Sequence, residues 1–372
     1  MMNLPVEAKR TALNGIGPYF TMFPLAFPYS ILSTYASSGE WVIDPFCGRG
    51  TTNYASRLLE LPSLGIDSSP VAVALSQAKL ANTSPQLIVQ EAKWILDGME
   101  EANDIPVGEF WDWAFHKNVL VRLCRLREGL LKDCRSDARK ALRAIILGAL
   151  HGPRPQSHPT YFSNQSPRTY GPKPRYAVNF WKARNLTPEF VDVLSIIEER
   201  AKRYYAQEST KAVGTIIQGD SRDKRLFSHL ATGKKINWVI TSPPYYGMRT
   251  YLPDQWLRGW FLGGKPTVDY SMQGQVDHRS PDTFALQLRQ VWQNVGTVCV
   301  PRARMVIRFG GINDRKVDPL SVLLQSLQDS GWEVSKIEPA GSASSGRRQA
   351  LHFSRTNNKA LEEQDVWAIW NH

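Results

Sequence analysis

Residues 40–67, "EWVIDPFCGRGTTNYASRLLELPSLGID", hold one complete strand–helix–strand unit. "EWVIDPF" at 40–46 is a short apolar run broken by Asp44 and Pro45, as expected of a strand that stops there. "GRGTT" is small and flexible, and the apolar spacing of "NYASRLLEL" suits a helix. "PSLGID" at 62–67 reads as a second strand ending in an acid. Strand, glycine loop, helix, strand and acid make a parallel βαβ unit.

The residues of that unit suggest a ligand. Glycines at 48 and 50 let the backbone approach a bound group, and the following helix offers free N–H groups. The Gly-Lys-Ser/Thr ending of a Walker loop is absent. Asp67 stands about 20 residues beyond the glycines, where a carboxylate can accept hydrogen bonds from both ribose hydroxyls of a nucleoside cofactor. The competing reading is an ordinary turn with helix-stop glycines. Asp220, in "GDS", ends a third strand similarly and either accepts from an adenine exocyclic amine or caps a helix.

Outward from this unit the chain changes character twice. Residues 109–150 are helical, with arginines spread between leucines, and 151–185 form a long proline-rich loop whose length hints at function. A helix at 189–207 closes the segment. The α/β pattern resumes with "KAVGTIIQGDS" at 211–221 and "KINWVI" at 235–240. Residues 249–285 read as irregular, and "FALQLRQVWQNVGTVCV" as mostly helical. "RARMVIRFGG", the helix and strand of "PLSVLLQSLQDSGWEVSKIEPA", a projecting loop at 341–357 and the strand "DVWAIW" follow. Seven candidate strands with intervening helices predict one open, mostly parallel α/β sheet interrupted by a helical insertion. There is no internal repeat.

The net charge of +11 is unevenly placed: Phe115–Arg184 holds 15 Lys/Arg against three acids, or +12. Such a field favours a polyanion such as nucleic acid, although a solvated basic face has the same composition. Four scattered cysteines, Cys47, Cys124, Cys134 and Cys299, fit a reducing compartment. Cys124 and Cys134 with His116 show no zinc spacing, so no metal is expected. The N-terminus lacks the apolar core of a signal peptide, and no run reaches membrane length. A soluble, cytoplasmic chain is expected.

The second informative stretch is "TSPPYYG" at 241–247, directly after the apolar "INWVI". Two prolines remove two backbone donors and fix two φ angles, so this is a rigid turn at the end of a buried strand. "DPFCGRGTT", "GID" and "TSPPYYG" together resemble the SAM-dependent DNA methyltransferases that modify exocyclic amines. The likeness covers roughly 20–85 and 211–372. It implies a Rossmann-like class I methyltransferase fold, divided as core (1–100), helical basic insertion (101–210) and core with the catalytic motif (211–372).

Carried over, the family pattern makes Asp44, Phe46, Gly48, Gly50 and Thr51 the cofactor loop. Asp67 and Ser68 would lie at the ribose, and Asp220 at the adenine amine. "YFTMFPLAFPYS" at 19–30, with Phe20, resembles the element that wraps the methionine end of S-adenosyl-L-methionine (SAM). Ser242, Pro243, Pro244 and Tyr245 would form the catalytic pocket. The serine form of the motif is commonest among cytosine-N4 enzymes. Adenine-N6 methylation, RNA base-amine methylation and a non-catalytic nucleic-acid-binding role are the alternatives. Cys47 is not expected to be a nucleophile.

The implied partner is double-stranded DNA with its target base extruded. Arg154, Arg168, Lys173 and Arg175 in the insertion are the contact candidates. Tyr246 is either a second pocket wall or packing. The insertion precedes Asp220, whereas the family's familiar orders place the variable region later, so it either reads the target or caps the cofactor site. The loops at 249–285 and 341–357 are the other candidate readers. The resemblance implies a prokaryotic setting and admits a cognate restriction endonuclease as a further partner, with monomer and dimer both left open.

Overall fold

The computed structural model describes residues 11–17, 19, 23–152, 160–164, 171–206, 210–211, 213–230, 235–247, 252–268, 276–311, 317–342 and 362–371. Phe20, Arg154, Arg168 and most of the 341–357 loop lie outside these residues. In chain order the elements are α1 (Ala26–Tyr35), β1 (Trp41–Asp44), α2 (Thr51–Leu58), β2 (Ser63–Asp67), α3 (Pro70–Leu80), α4 (Pro85–Asp97) and α5 (Glu109–Ala114). Then come α6 (Lys117–Lys132), α7 (Asp137–Ala149), α8 (Pro174–Lys182), α9 (Val193–Tyr205), β3 (Gly214–Gln218), α10 (Lys224–Leu230) and β4 (Ile236–Thr241). The last are α11 (Trp256–Phe261), α12 (Pro281–Gly296), β5 (Cys299–Phe309), α13 (Pro319–Leu327), β6 (Trp332–Ser342) and β7 (Glu362–Trp370).

The chain forms two compact units. One comprises residues 1–18, 77–209 and 251–272, the other 19–76, 210–250 and 273–372. The helical unit is therefore larger than the division at 101–210 expects. It takes in α4 and also α11, a helix in a stretch the sequence reads as irregular. A second difference is that β5 begins at Cys299, three residues before the stretch "RARMVIRFGG" read as the strand.

The second unit carries the sheet, in the order β3-β2-β1-β4-β5-β7-β6. Only β7 is antiparallel to its neighbours. Ile43, Val239, Met305 and Ile307 pack on one face with Leu288 and Trp292 of α12 and Leu323 of α13. Val42, Trp238, Ile240 and Val306 pack on the other with Phe27, Ile31 and Leu32 of α1 and Ala55 of α2. Strands covered on both faces read as unbroken apolar runs, which is why "WVI" and "WVI" recur in β1 and β4. From β1 the chain winds one way to β2 and β3, and from β4 the other way to β5. Such a switch point opens a crevice at the carboxyl ends of the strands, where "DPFCGRG" and "TSPPYY" both begin.

In the helical unit α4 packs on α6, α7 and α9. Ser84 and Ser136 accept from backbone N–H groups of the first turns of α4 and α7, and Pro85 occupies the start of α4. Several arginines here are structural. Arg127 is buried, donating from Nε to the Trp260 carbonyl at 2.8 Å and pairing with Asp104 at 2.9 Å. Arg139, also buried, pairs with Glu91 at 2.7 Å. Part of the basic window is thus spent inside the unit rather than displayed.

Candidate active site

The site is built from the carboxyl ends of β1, β2, β3 and β4. After β1 the chain turns at Asp44-Pro45, and the Phe46 N–H donates to Asp44 Oδ1 at 3.1 Å. The Cys47 N–H then donates to the Ile66 carbonyl at 2.9 Å, which lays the loop across the end of β2. Gly48, at φ +50°, donates its N–H to Asp67 Oδ2 at 2.9 Å, while Asp67 Oδ1 accepts from the Ser69 N–H at 2.8 Å. One carboxylate clamps two loops and keeps acceptor capacity on each oxygen. Burial pushes the Asp67 carboxyl above the usual range, against the two N–H groups that favour its charge.

The two glycines serve different ends. A Cβ at Gly48 would come no nearer than 4.0 Å to any other group, so the space above it is open to a ligand. Gly50 has φ +74°, and a Cβ there would stand 2.8 Å from Ser76 Oγ and 3.0 Å from Ser76 Cα. It allows α2 to start against α3 rather than against a ligand, a departure from the reading that both glycines admit one. Ser76 Oγ donates in turn to the Gly48 carbonyl at 2.8 Å, and Ser221 Oγ to the Pro45 carbonyl at 2.7 Å. Neither serine is flagged by a motif. Thr51 is buried in the first turn of α2, and Ser68 is exposed beside Asp67. Phe46 meets Trp292 edge to face at 6.0 Å. Cys47 is 2% exposed.

Asp220 is engaged differently from either sequence reading. Arg222 chelates it, with Nε on Oδ1 at 2.9 Å and Nη2 on Oδ2 at 2.6 Å, and the Arg222 N–H adds a third bond. Arg222 Nη1 also donates to Gln287 Oε1 at 2.7 Å, which fixes the guanidinium. Burial disfavours the Asp220 charge, but Arg222 holds its carboxyl below the usual range. Most of its acceptor capacity is taken, though the side chain is still 40% exposed.

The proline turn is joined to the cofactor loop from beneath. Thr241 Oγ1 donates to Asp44 Oδ1 at 2.7 Å, and Thr52 Oγ1 to the Ile240 carbonyl at 3.1 Å. Ser242 is half-buried, and its hydroxyl makes no hydrogen bond to the described residues. Pro243 is buried; Pro244 and Tyr245 are half-buried. Tyr245 donates to Glu363 Oε1 at 2.7 Å and meets Phe309 edge to face at 5.3 Å. Tyr246 is 8% exposed and packs against Phe284 at 5.5 Å and His278 at 6.2 Å. Of its two readings, packing is the one its described contacts match.

Asp44 lies beneath the loop rather than on it. It is 0% exposed, and its Oδ2 has no hydrogen-bond partner among the described residues. Burial pushes its carboxyl up to about 7, against the Thr241 hydroxyl and the Phe46 N–H. An unfolded Asp titrates near 3.9, so between about pH 4 and 7 the folded chain holds a proton that the unfolded chain has lost. The stabilisation is complete below that window and falls away as pH rises through 7. Asp44→Asn, which is neutral throughout, should therefore gain in melting temperature relative to the parent between pH 5 and pH 8. The difference corresponds to a few kcal/mol, on the order of magnitude set by the shift. A pH-independent difference between the two melting curves would count against a buried, proton-holding Asp44.

Lys173 and Arg175, at the start of α8 in the helical unit, are exposed, and Arg175 forms no ion pair among the described residues. Tyr176 beside them is 57% exposed. Among the described residues no group of three His, Cys, Asp or Glu is placed to hold a metal ion. No helix among them is long and apolar enough to cross a membrane.

A seven-stranded sheet with this strand order, reversed only at β7, is the fold of class I SAM-dependent methyltransferases. SAM is the cofactor which that fold holds, and the open space over Gly48 beside Asp67 fits it. A family model described as DNA methylase matches residues 3–78. The chain is 23% identical over 332 residues to the type II methyltransferase M.MjaII of Methanocaldococcus jannaschii, covering 66% of this chain and 61% of that protein. It thus spans less than two thirds of that relative's length.

Among solved structures, the rRNA methyltransferase aviRa of Streptomyces viridochromogenes is 14% identical, with 96% of this chain and 92% of that one covered at a TM-score of 0.39. A SAM-dependent methyltransferase of Methanosarcina mazei is 9% identical, with 95% and 99% covered at a TM-score of 0.36. The fold assignment rests on the strand order and not on these superpositions.

Proposed function

We propose that this protein transfers the methyl group of SAM to an exocyclic amine of a base in duplex DNA, cytosine N4, at a specific site. The observation that carries the proposal is the Ser242-Pro-Pro-Tyr245 turn, tied through Thr241 to Asp44 beneath the glycine loop, with the Ser242 hydroxyl unbonded among the described residues. The DNA methylase model over 3–78 and the type II methyltransferase relative support the substrate class. The serine at position 242 supports cytosine.

Asp67 would use its remaining acceptor positions on the ribose hydroxyls, and Asp220 what Arg222 leaves of its own on the adenine amine. Bound SAM supplies an electrophilic methyl group on sulfur. The exocyclic amine is a poor nucleophile because its lone pair is delocalised into the ring. Ser242 Oγ and the Pro243 carbonyl can accept its hydrogens and draw the nitrogen towards sp³ geometry. The prolines aim that carbonyl in advance, so no reorganisation is needed as charge develops. Ser242 and the Pro243 carbonyl would thus hold the nitrogen that takes the methyl group, and the nitrogen would give up one of its protons. Tyr245 offers a ring for an extruded base to stack on. Lys173 and Arg175 would meet phosphates.

The test incubates the purified protein with labelled SAM and either unmethylated duplex DNA or RNA, then digests to nucleosides for mass spectrometry. N4-methylcytosine from DNA is expected. N6-methyladenine would overturn the choice of base, and transfer to RNA alone would overturn the substrate. Cofactor binding without transfer to either would favour a binding protein on this scaffold.

A further inference from the structure

We propose that Glu363 is a positioning residue for Tyr245, setting the tilt at which that ring receives the extruded base. The inference rests on the reading of the proline turn given above. Glu363 is 3% exposed, at the start of β7, and its Oε1 accepts the Tyr245 hydroxyl at 2.7 Å. It lies 118 residues from Tyr245 in sequence. The β5–β7 pairing brings it there: Phe309 is opposite Gln364, so Glu363 falls beside Gly310, just past the end of β5.

Gly310 makes the fit tight. A Cβ at that position would be 3.0 Å from Glu363 Cγ and 3.3 Å from Tyr245 Cε2, so the carboxylate stem and the ring lie against the same bare backbone. Phe309 closes on the ring edge to face at 5.3 Å. The tyrosine is thus held at both ends. Pro243 and Pro244 restrict the backbone leading into it, and the carboxylate fixes its far end.

Stability alone gives little reason for this arrangement. Burying a carboxylate is costly, and an apolar pair of similar volume would pack the same space at less expense. A hydroxyl-to-carboxylate bond instead fixes rotation about the ring's side-chain torsions, which apolar packing does less well. Stacking requires that orientation, because a misplacement of about 1 Å at a reacting centre can cost on the order of a hundredfold in rate.

The experiment compares Glu363→Ala, Glu363→Gln, Tyr245→Phe and the Ala/Phe double variant with the parent. Four quantities are read: methyl transfer to unmethylated duplex DNA as kcat and KM, SAM affinity by calorimetry, and melting temperature. Glu363→Ala should lower kcat/KM for DNA at least about tenfold and leave SAM affinity within about twofold. Glu363→Gln keeps an acceptor for the hydroxyl and should recover most of the loss. The double variant should be little worse than Glu363→Ala, because both single changes break the same bond. Unchanged transfer by Glu363→Ala would overturn the proposal, as would additive effects in the double variant. If Glu363→Ala does not fold, the comparison of Glu363→Gln with Tyr245→Phe decides: equal loss in both overturns it. Failure of the parent itself to methylate nucleic acid would instead overturn the functional reading on which the proposal stands.

Discussion

Ser242→Ala is expected to lower kcat on the order of a hundredfold while SAM affinity stays within about a factor of two. The serine hydroxyl makes no hydrogen bond to the described residues, so removing it breaks no bond among them. It is half-buried at the end of β4, where burial strengthens any bond it makes to a reacting amine. An interaction of this kind grows as the nitrogen moves towards sp³ geometry, and its loss appears in kcat rather than in ground-state binding. Single-turnover transfer together with SAM calorimetry checks the result. Loss of SAM affinity equal to the loss of rate would place Ser242 with the cofactor and sink the pocket assignment.

Asp67→Ala should do the reverse, raising the SAM dissociation constant on the order of a hundredfold. Two hydrogen bonds from ribose hydroxyls to a carboxylate are worth roughly 1.5–3 kcal/mol each, and about 1.4 kcal/mol is tenfold in affinity. The alanine also strands the Gly48 and Ser69 N–H groups that the carboxylate now satisfies, which loosens the loop itself. Asp67→Asn keeps the shape and an acceptor while losing the charge, so its affinity should fall between parent and alanine. Calorimetric titration with SAM measures both. A variant with unchanged SAM affinity and impaired transfer would show that the carboxylate is not at the cofactor.

What could be read from sequence was what is local. "DPFCGRGTT" and "TSPPYYG" sit at strand ends because prolines and glycines stop strands, and the structure has those ends at Asp44 and Thr241. The central strands β1, β2 and β4 announce themselves through apolar runs covered on both faces, whereas β3 and β6 at the sheet edges are largely exposed. What could not be read depends on pairing across the chain. Glu363 reaches Tyr245 only because β7 inserts between β5 and β6, and no pattern near residue 363 carries that information. The arginine-rich window shows the same limit: helical spacing does not say which guanidinium turns inward, and Arg127 and Arg139 both do. Tyr245 and Tyr246 are alike in sequence, yet one is half-buried at the turn and the other lies in the core beside Phe284. The Arg222 clamp on Asp220 joins residues two apart in "GDSR", yet that spacing does not say whether the arginine turns back onto the carboxylate.

The bonds from Thr241 to Asp44 and from Thr52 to the Ile240 carbonyl have a consequence for timing. On the proposed reading, they join the seat of the cofactor to the seat of the reacting amine within one folded unit. The ordering cost of bringing these two loops together is therefore incurred once, when the chain folds, and not in each turnover. On the same reading, discrimination among targets would fall to the deformation of the nucleic acid, whose base would leave its stack to reach loops already joined.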